Sequence, residues 1–219
     1  MTAPEKTTVS ALLRKATIEV HEEAENSGFM NRMLNGLLTR EAYVDYQGQM
    51  LCIYRALEGA GEALAGTPVV EALADERLLR TAALSADLDF LHGAEGAAER
   101  VRPTEATAAY VAELHRVAEE GDQVAFAAHH YVRYLGDLAG GQIIATLVSR
   151  IYGFGEDGVQ GLRFPGIDKL KAYRDTYRGR LDSLAVLDEH REELVAHART
   201  AFTCNTAVFA DLDRRHPAE

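Results

Sequence analysis

The sequence predicts an all-α protein with a single domain, and three observations support this prediction. The chain is rich in Ala, Leu, Glu and Arg, which favour helices, whereas aromatic residues make up only 7% and Trp is absent. Apolar residues recur at helical spacing along most of the chain. Turn signals separate these periodic stretches, and no linker divides the 219 residues into two parts. We therefore expect one domain over residues 1–219, with residues 1–7 and 214–219 as flexible ends.

Helix-start signals divide the first half of the chain into separate helices. Thr8 or Ser10 caps a first helix that ends near residue 26. Ser27 starts a short helix, and Thr39 starts a longer one whose apolar and aromatic stripe is typical of an ordinary core. Three further helices are predicted here, at residues 69–73, 76–91 and 104–120.

The longest predicted helix covers residues 123–152 and contains three interior glycines. Each interior glycine costs about 1 kcal/mol relative to alanine, so these residues need a packing or functional reason. Gly136 and Gly140 share one helix face, where bare backbone allows a flat body to approach, a second helix to pack closely, or the helix to bend. Asp137 stands beside them among apolar residues, and a carboxylate there is costly to bury without a partner. We therefore consider Asp137 a candidate functional residue.

The two predicted C-terminal helices differ in charge. The helix that begins at Asp168 carries a basic run from Lys169 to Arg180, although the whole chain has a formal net charge of −11. Such a run is either a solvated face or a docking site for an acidic partner. The last helix, residues 188–211, has an apolar stripe that Asn205 interrupts.

Composition also restricts the partners and the compartment. A net charge of −11 disfavours nucleic acid, because binding to phosphates needs a positive surface. Cys52 and Cys204 form no CxxC pair and are expected to be reduced, as in a cytoplasmic protein. No run of about 18 apolar residues occurs, so no membrane anchor is expected.

Several segments resemble one enzyme family. Residues 134–142, Tyr-Leu-Gly-Asp-Leu-Ala-Gly-Gly-Gln, closely resemble the distal-helix signature of the heme oxygenases, whose usual form is Gly-Asp-Leu-Ser-Gly-Gly. Residues 16–30, around His21, are similar to the proximal helix of that family, and residues 177–180 and 201–205 resemble further segments. The resemblance covers almost the whole chain, and Ala139 departs from it by replacing the usual serine.

This resemblance implies a multi-helix bundle that holds heme between the first helix and a glycine-bent central helix. It also implies oxidative cleavage of heme to biliverdin, CO and Fe²⁺ by O₂, with electrons from a ferredoxin- or flavoprotein-type donor. A soluble, cytoplasmic, monomeric protein of the bacterial type is expected. Two alternatives stay open: a heme carrier, which would not need Asp137, and a thiaminase-like helical enzyme, which would need a nucleophile in place of an axial histidine.

The resemblance also assigns roles to individual residues. A lone histidine on a helix is more often a packed or surface residue than a ligand, but the family motif makes His21 the axial ligand of the heme iron. Glu25, four residues later on the same face, would orient the imidazole through its other ring nitrogen. Asp137, with Gly136 and Gly140, would form the catalytic distal site. The family positions that hold the heme propionates fall on Arg14, Tyr131 and Arg178, with Lys169 and Arg174 as alternatives for a further contact. Phe202 is also expected to contact the heme.

Overall fold

A computed structural model of the chain describes residues 7–25 and 27–217, except for the side chain of Glu25. The prediction of an all-α fold is confirmed, since this part of the chain contains helices and no strand. Its α-helices are α1 (Val9–Ala16), α2 (Ile18–Glu25), α3 (Gly28–Leu34), α4 (Arg40–Ala63), α5 (Pro68–Leu73), α6 (Thr81–His92), α7 (Glu105–Glu120), α8 (Gln123–Gly136), α9 (Gln142–Tyr152), α10 (Leu170–Asp182), α11 (Ala185–Glu189) and α12 (Arg191–Arg215). Short 3₁₀ turns lie at Glu76–Leu78, Ala97–Arg100 and Gln160–Leu162.

Local hydrogen bonds determine where many of these helices begin and end. Ser27 and Thr39 cap α3 and α4, because their hydroxyl groups accept hydrogen bonds from the backbone N–H groups three residues later. Gly93, Gly121 and Gly153 end α6, α7 and α9 with φ between 64° and 70°, the left-handed region that favours glycine.

Two predicted helices are interrupted in the structure. The first predicted helix divides at Thr17, whose hydroxyl donates to the carbonyl of Leu13 at 2.8 Å and whose backbone leaves the helical region. The predicted helix over residues 76–91 is a 3₁₀ turn followed by α6. There the guanidinium of Arg80 folds back onto the carbonyl of Leu78 at 2.8 Å and lies 4.0 Å from the ring centroid of Phe164.

The central segment at residues 123–152 is helical throughout but changes its winding. α8 continues through a π-helical turn, Asp137–Gly141, into α9. A π-turn inserts one extra residue into the ladder of hydrogen bonds, and such turns are frequent at functional sites. The glycines therefore mark a local widening of the helix.

α12 packs against α8, α7 and α2. α4 packs against α7 and α6, so α7 contacts both of these long helices. Across the described residues, no helix combines the length and the apolar character needed to cross a membrane.

Cys52 and Cys204 are both free and partly buried. α12 extends to Arg215, so residues 214 and 215 are helical, whereas residues 1–6 and 218–219 lie outside the described residues.

Candidate functional site

Gly136 and Gly140 leave bare backbone at the π-helical turn. A Cβ atom placed on either glycine would meet no heavy atom within 4 Å outside its own helix, so neither position is needed for packing within the protein. Gly141 is different, because a Cβ atom there would lie 2.7 Å from the carbonyl oxygen of Leu162. Two of the three glycines thus face open space, and the third allows a loop backbone to approach.

Asp137 stands next to this open strip and has two partners. Its Oδ2 accepts a hydrogen bond from the hydroxyl of Tyr54, and its Oδ1 lies 3.5 Å from Nη2 of Arg133. The side chain of Asp137 keeps 17% of its surface exposed, against 8% for Arg133. The carboxylate is thus fixed from the protein side while part of it remains accessible.

Arg133 extends this polar network into the core. Its Nη1 donates to Oδ1 of Asn205 at 3.0 Å, and its Nη2 lies 3.4 Å from the hydroxyl of Tyr54. Burial opposes the charge of Arg133, but the charge of Asp137 acts in the other direction, and the pKa of the guanidinium is above its ordinary value. Burial raises the pKa of Tyr54 strongly, so its hydroxyl stays protonated and donates. The network therefore holds a cation and a donor against Asp137.

Sequence reasoning missed Tyr54 and Arg133 as site residues. Tyr54 belongs to the apolar and aromatic stripe of α4, which is typical of an ordinary core, and its hydroxyl reaches Asp137 only through the packing of the bundle. Arg133 precedes Asp137 by four residues, a spacing at which side chains on a helix meet. The sequence therefore contains a signal for this pair. Asn205 interrupts the apolar stripe of α12, and its hydrogen bond with Arg133 explains that interruption.

His21 lies on the exposed side of α2, next to α12. Its imidazole ring is 5.7 Å from the ring of Phe202, centroid to centroid, with the planes 68° apart. Phe202 is 9% exposed and belongs to the core. The structure thus places the predicted ligand and the predicted heme-binding phenylalanine in edge-to-face contact. The side chain of Glu25 lies outside the described residues, so its role as a partner of His21 stays a prediction.

α12 brings His21 close to the Asp137 network. Phe202 contacts His21, and Asn205 contacts Arg133, so two positions three residues apart on one helix connect the two groups. The rise between such positions is about 4.5 Å. His21 on α2 and Arg133 on α8 therefore contact neighbouring positions of α12.

A cationic cluster forms where α1 and α10 meet α8. Burial raises the pKa of Tyr131 on α8, while the positive charges of Arg178 and Arg14 act to lower it. The negative charge of Asp182 acts in the opposite direction, so the Tyr131 hydroxyl is subject to charges from both α1 and α10. Arg178 also pairs with Asp175 at 3.0 Å, but that pair is exposed and contributes little to stability.

Two contacts fix the position of α10. Tyr177 stacks on His130 with the ring planes 3° apart, and its hydroxyl lies 2.8 Å from Nδ1 of that histidine. Asp182 accepts hydrogen bonds from the backbone N–H and the hydroxyl of Ser10, at 2.7 and 2.8 Å. The first contact holds α10 against α8, and the second holds α1 against α10.

Arg174, one turn before Arg178, has an unsatisfied donor. Its Nε is buried and has no hydrogen-bond partner among the described residues. An unpaired buried donor on a cationic side chain is costly, unless a bound acceptor satisfies it. The cluster is therefore suited to an acidic ligand group.

Comparisons with known proteins agree on one family. The family model described as heme oxygenase matches residues 7–211. Heme oxygenase 1 of Pongo abelii is 36% identical over 208 residues, which span 93% of this chain and 71% of that protein. Heme oxygenase 1 of Synechocystis is 31% identical over 205 residues, which span 94% of this chain and 85% of that protein.

Solved structures give the same result. The heme oxygenase of Leptospira interrogans superposes with a TM-score of 0.87 at 31% identity, covering 93% of this chain and 99% of that one. Heme oxygenase-1 of Synechocystis, solved in complex with heme, superposes with a TM-score of 0.89 at 30% identity, covering 95% of this chain and 94% of that one. None of these matches supports the thiaminase-like or carrier alternative.

Proposed function

The chain belongs to the heme oxygenase family and degrades heme to biliverdin, and from that premise we propose which of its residues hold the heme and which direct the cleavage. The observation that carries the proposal is the position of Asp137, fixed by Tyr54 and Arg133 beside a strip of bare backbone.

The described residues fit heme, a flat apolar ring system with two acidic groups. The open backbone at Gly136 and Gly140 offers room for a flat body, and the unsatisfied Nε of Arg174 offers a donor for an acidic group. When bound, heme supplies the iron that binds and activates O₂ and the ring whose bridge is cleaved.

His21 would hold the iron. A neutral imidazole binds iron without the strong electron donation of a thiolate. The ring of Phe202 contacts His21 edge to face and restricts the orientation of the imidazole. Glu25 would orient the same imidazole, as the family resemblance implies.

Asp137 would direct protons on the other face of the heme. The donors Tyr54 and Arg133 keep its carboxylate in one orientation, and its exposed fraction can hold water in the open strip. A positioned carboxylate with bound water moves protons to a reacting group with controlled geometry. The absence of side chains at Gly136 and Gly140 leaves room for substrate and oxygen close to the helix backbone.

The cationic cluster would hold the propionate groups. The charges of Arg178 and Arg14 act on the Tyr131 hydroxyl, and Arg174 lies one helical turn before Arg178 on α10. A guanidinium pairs with a carboxylate through two parallel hydrogen bonds, which fixes orientation as well as position. These residues would therefore set the rotation of the heme in its plane.

The remaining parts of the proposal concern the setting of the enzyme. An acidic ferredoxin- or flavoprotein-type donor would dock on the basic face of α10, where opposite charge speeds encounter. The protein would act as a monomer in the cytoplasm, and the free state of Cys52 and Cys204 is consistent with a reducing compartment.

Heme titration of His21→Ala tests the iron ligand. The parent protein is expected to give a histidine-type Soret spectrum and to form biliverdin with reductant in air. His21→Ala is expected to lose that spectrum and turnover while keeping heme in the pocket through the walls and the propionate contacts. His115→Ala, which removes an exposed histidine of α7, is the matched control. A His21→Ala protein with parental spectrum and turnover would contradict the assignment.

A further inference from the structure

A cavity of ≈ 420 Å³ opens on a part of the molecule that the proposed heme site does not use. It lies between the first half of α4, the end of α6 and the segment at residues 97–102. None of its lining residues belongs to the proposed heme site. Its size falls in the range of about 300–1,000 Å³ that is usual for small-molecule sites.

Three arginines of this cavity have no carboxylate partner. Arg40, Arg100 and Arg102 line it, and among the described residues no carboxylate lies within 4.0 Å of any of their guanidinium groups. Their hydrogen bonds go to backbone carbonyls: Arg40 donates to Leu91, Arg100 donates to Glu95 at 3.5 Å, and Arg102 donates to Val101 at 3.2 Å. Carbonyl groups carry no net charge, and the other contact of Arg40 is with the ring of Phe154, whose centroid lies 5.9 Å from its guanidinium. None of these three positive charges is therefore paired with a carboxylate.

The acidic residues of the cavity do not reverse this sign. Asp45 is already paired with Arg215 at 2.9 Å and lies 3.0 Å from Nε2 of His216. Glu41 is then the carboxylate that opposes three arginines at the cavity. A local positive site in a chain of net charge −11 favours an anionic ligand.

The walls of the cavity are held by hydrogen bonds to α4 and α6. Gln49 accepts from the backbone N–H of Thr104 at 2.9 Å and donates to the carbonyl of Arg102 at 3.3 Å. Asp89 accepts from the backbone N–H of Ala97 at 2.8 Å. A site whose walls are already ordered loses less entropy when a ligand binds.

We propose that this cavity binds an organic anion with an apolar body. The arginines would pair with its acidic group, and the partly exposed apolar side chains of Val44 and Val101 would contact its body. This combination of an apolar lining with a few polar groups is typical of small-molecule sites. The site acts separately from heme cleavage, so its test does not depend on turnover.

The test uses the heme-loaded full chain, so that heme occupies its own site. The probe is 1-anilinonaphthalene-8-sulfonate, and binding is measured by isothermal titration calorimetry. N-phenyl-1-naphthylamine, which has the same rings without the sulfonate, and inorganic phosphate, which has charge without an apolar body, are the comparators. We expect saturable binding of the sulfonate at one site and weaker binding of both comparators.

Variants locate the binding in the cavity. Arg100→Gln and Arg102→Gln are expected to weaken sulfonate binding about three- to fivefold each, as for partly exposed ion pairs. Arg150→Gln, which removes an exposed guanidinium that does not line the cavity, is expected to leave binding unchanged. Absence of sulfonate binding, equal binding of the neutral rings, or equal loss in all three variants would overturn the proposal.

Discussion

Removing the hydroxyl of Tyr54 is expected to slow heme cleavage without removing heme. Tyr54→Phe deletes the donor that holds Oδ2 of Asp137 and leaves Arg133 at 3.5 Å as the remaining partner of the carboxylate. A hydrogen bond to a charged group is worth about 1.5–3 kcal/mol. Because 1.36 kcal/mol corresponds to a factor of ten in rate, cleavage should slow by about 10- to 100-fold if the bond serves to orient Asp137.

The assay is a single-turnover reaction of heme-loaded protein with reductant and O₂, followed by absorption. Tyr46→Phe is the matched control, because Tyr46 is also buried on α4 and no hydrogen bond of its hydroxyl is found among the described residues. The control should cleave heme at the parental rate. A Tyr54→Phe protein that cleaves as fast as the control, or one that fails only because it has lost heme, would contradict an orienting role of the Tyr54 hydroxyl.

Three further predictions follow from the glycines and the basic helix. Gly141→Ala should lower the free energy of unfolding, measured in urea, by about 1–3 kcal/mol, because its Cβ would lie 2.7 Å from the carbonyl oxygen of Leu162. Gly179→Ala is the control and should not lower the free energy of unfolding, because no heavy atom lies within 4 Å of its Cβ. Arg178→Ala should change the ratio of biliverdin isomers by freeing heme rotation, and an unchanged ratio at full activity would place the anchor elsewhere. Donor-supported turnover should fall as salt shortens the Debye length from about 10 Å at 0.1 M to about 3 Å at 1 M. Equal salt dependence with a small neutral reductant would exclude steering by the basic run from Lys169 to Arg180.

The parts of the fold that depend on local interactions could be predicted from the sequence. Ser27 and Thr39 mark helix starts because each cap is a hydrogen bond to a residue three positions later. The stops at Gly121 and Gly153 follow from the left-handed backbone that glycine adopts readily. The predicted site pair of His21 and Phe202 came from motif resemblance, and the structure places the two rings in contact.

The parts that depend on tertiary contacts could not be predicted. The turn before α6 requires Arg80 to reach Phe164, which is distant in sequence. The role of Tyr54 depends on how α4 packs against α8, and no periodicity distinguishes such a tyrosine from a core residue. The glycines of the central helix predict a bend but not the π-helical turn at Asp137–Gly141, because glycine spacing does not specify the winding of a helix.

We propose that Asp137 directs heme cleavage and is not merely a structural residue. A single-turnover reaction of heme-saturated Asp137→Ala tests this role, with heme affinity and melting temperature measured on the same preparation. We predict that heme still binds and that bilin formation slows by about 10² to 10⁴, the usual loss when a positioned proton-transfer group is removed. Bilin formation at the parental rate would contradict the claim.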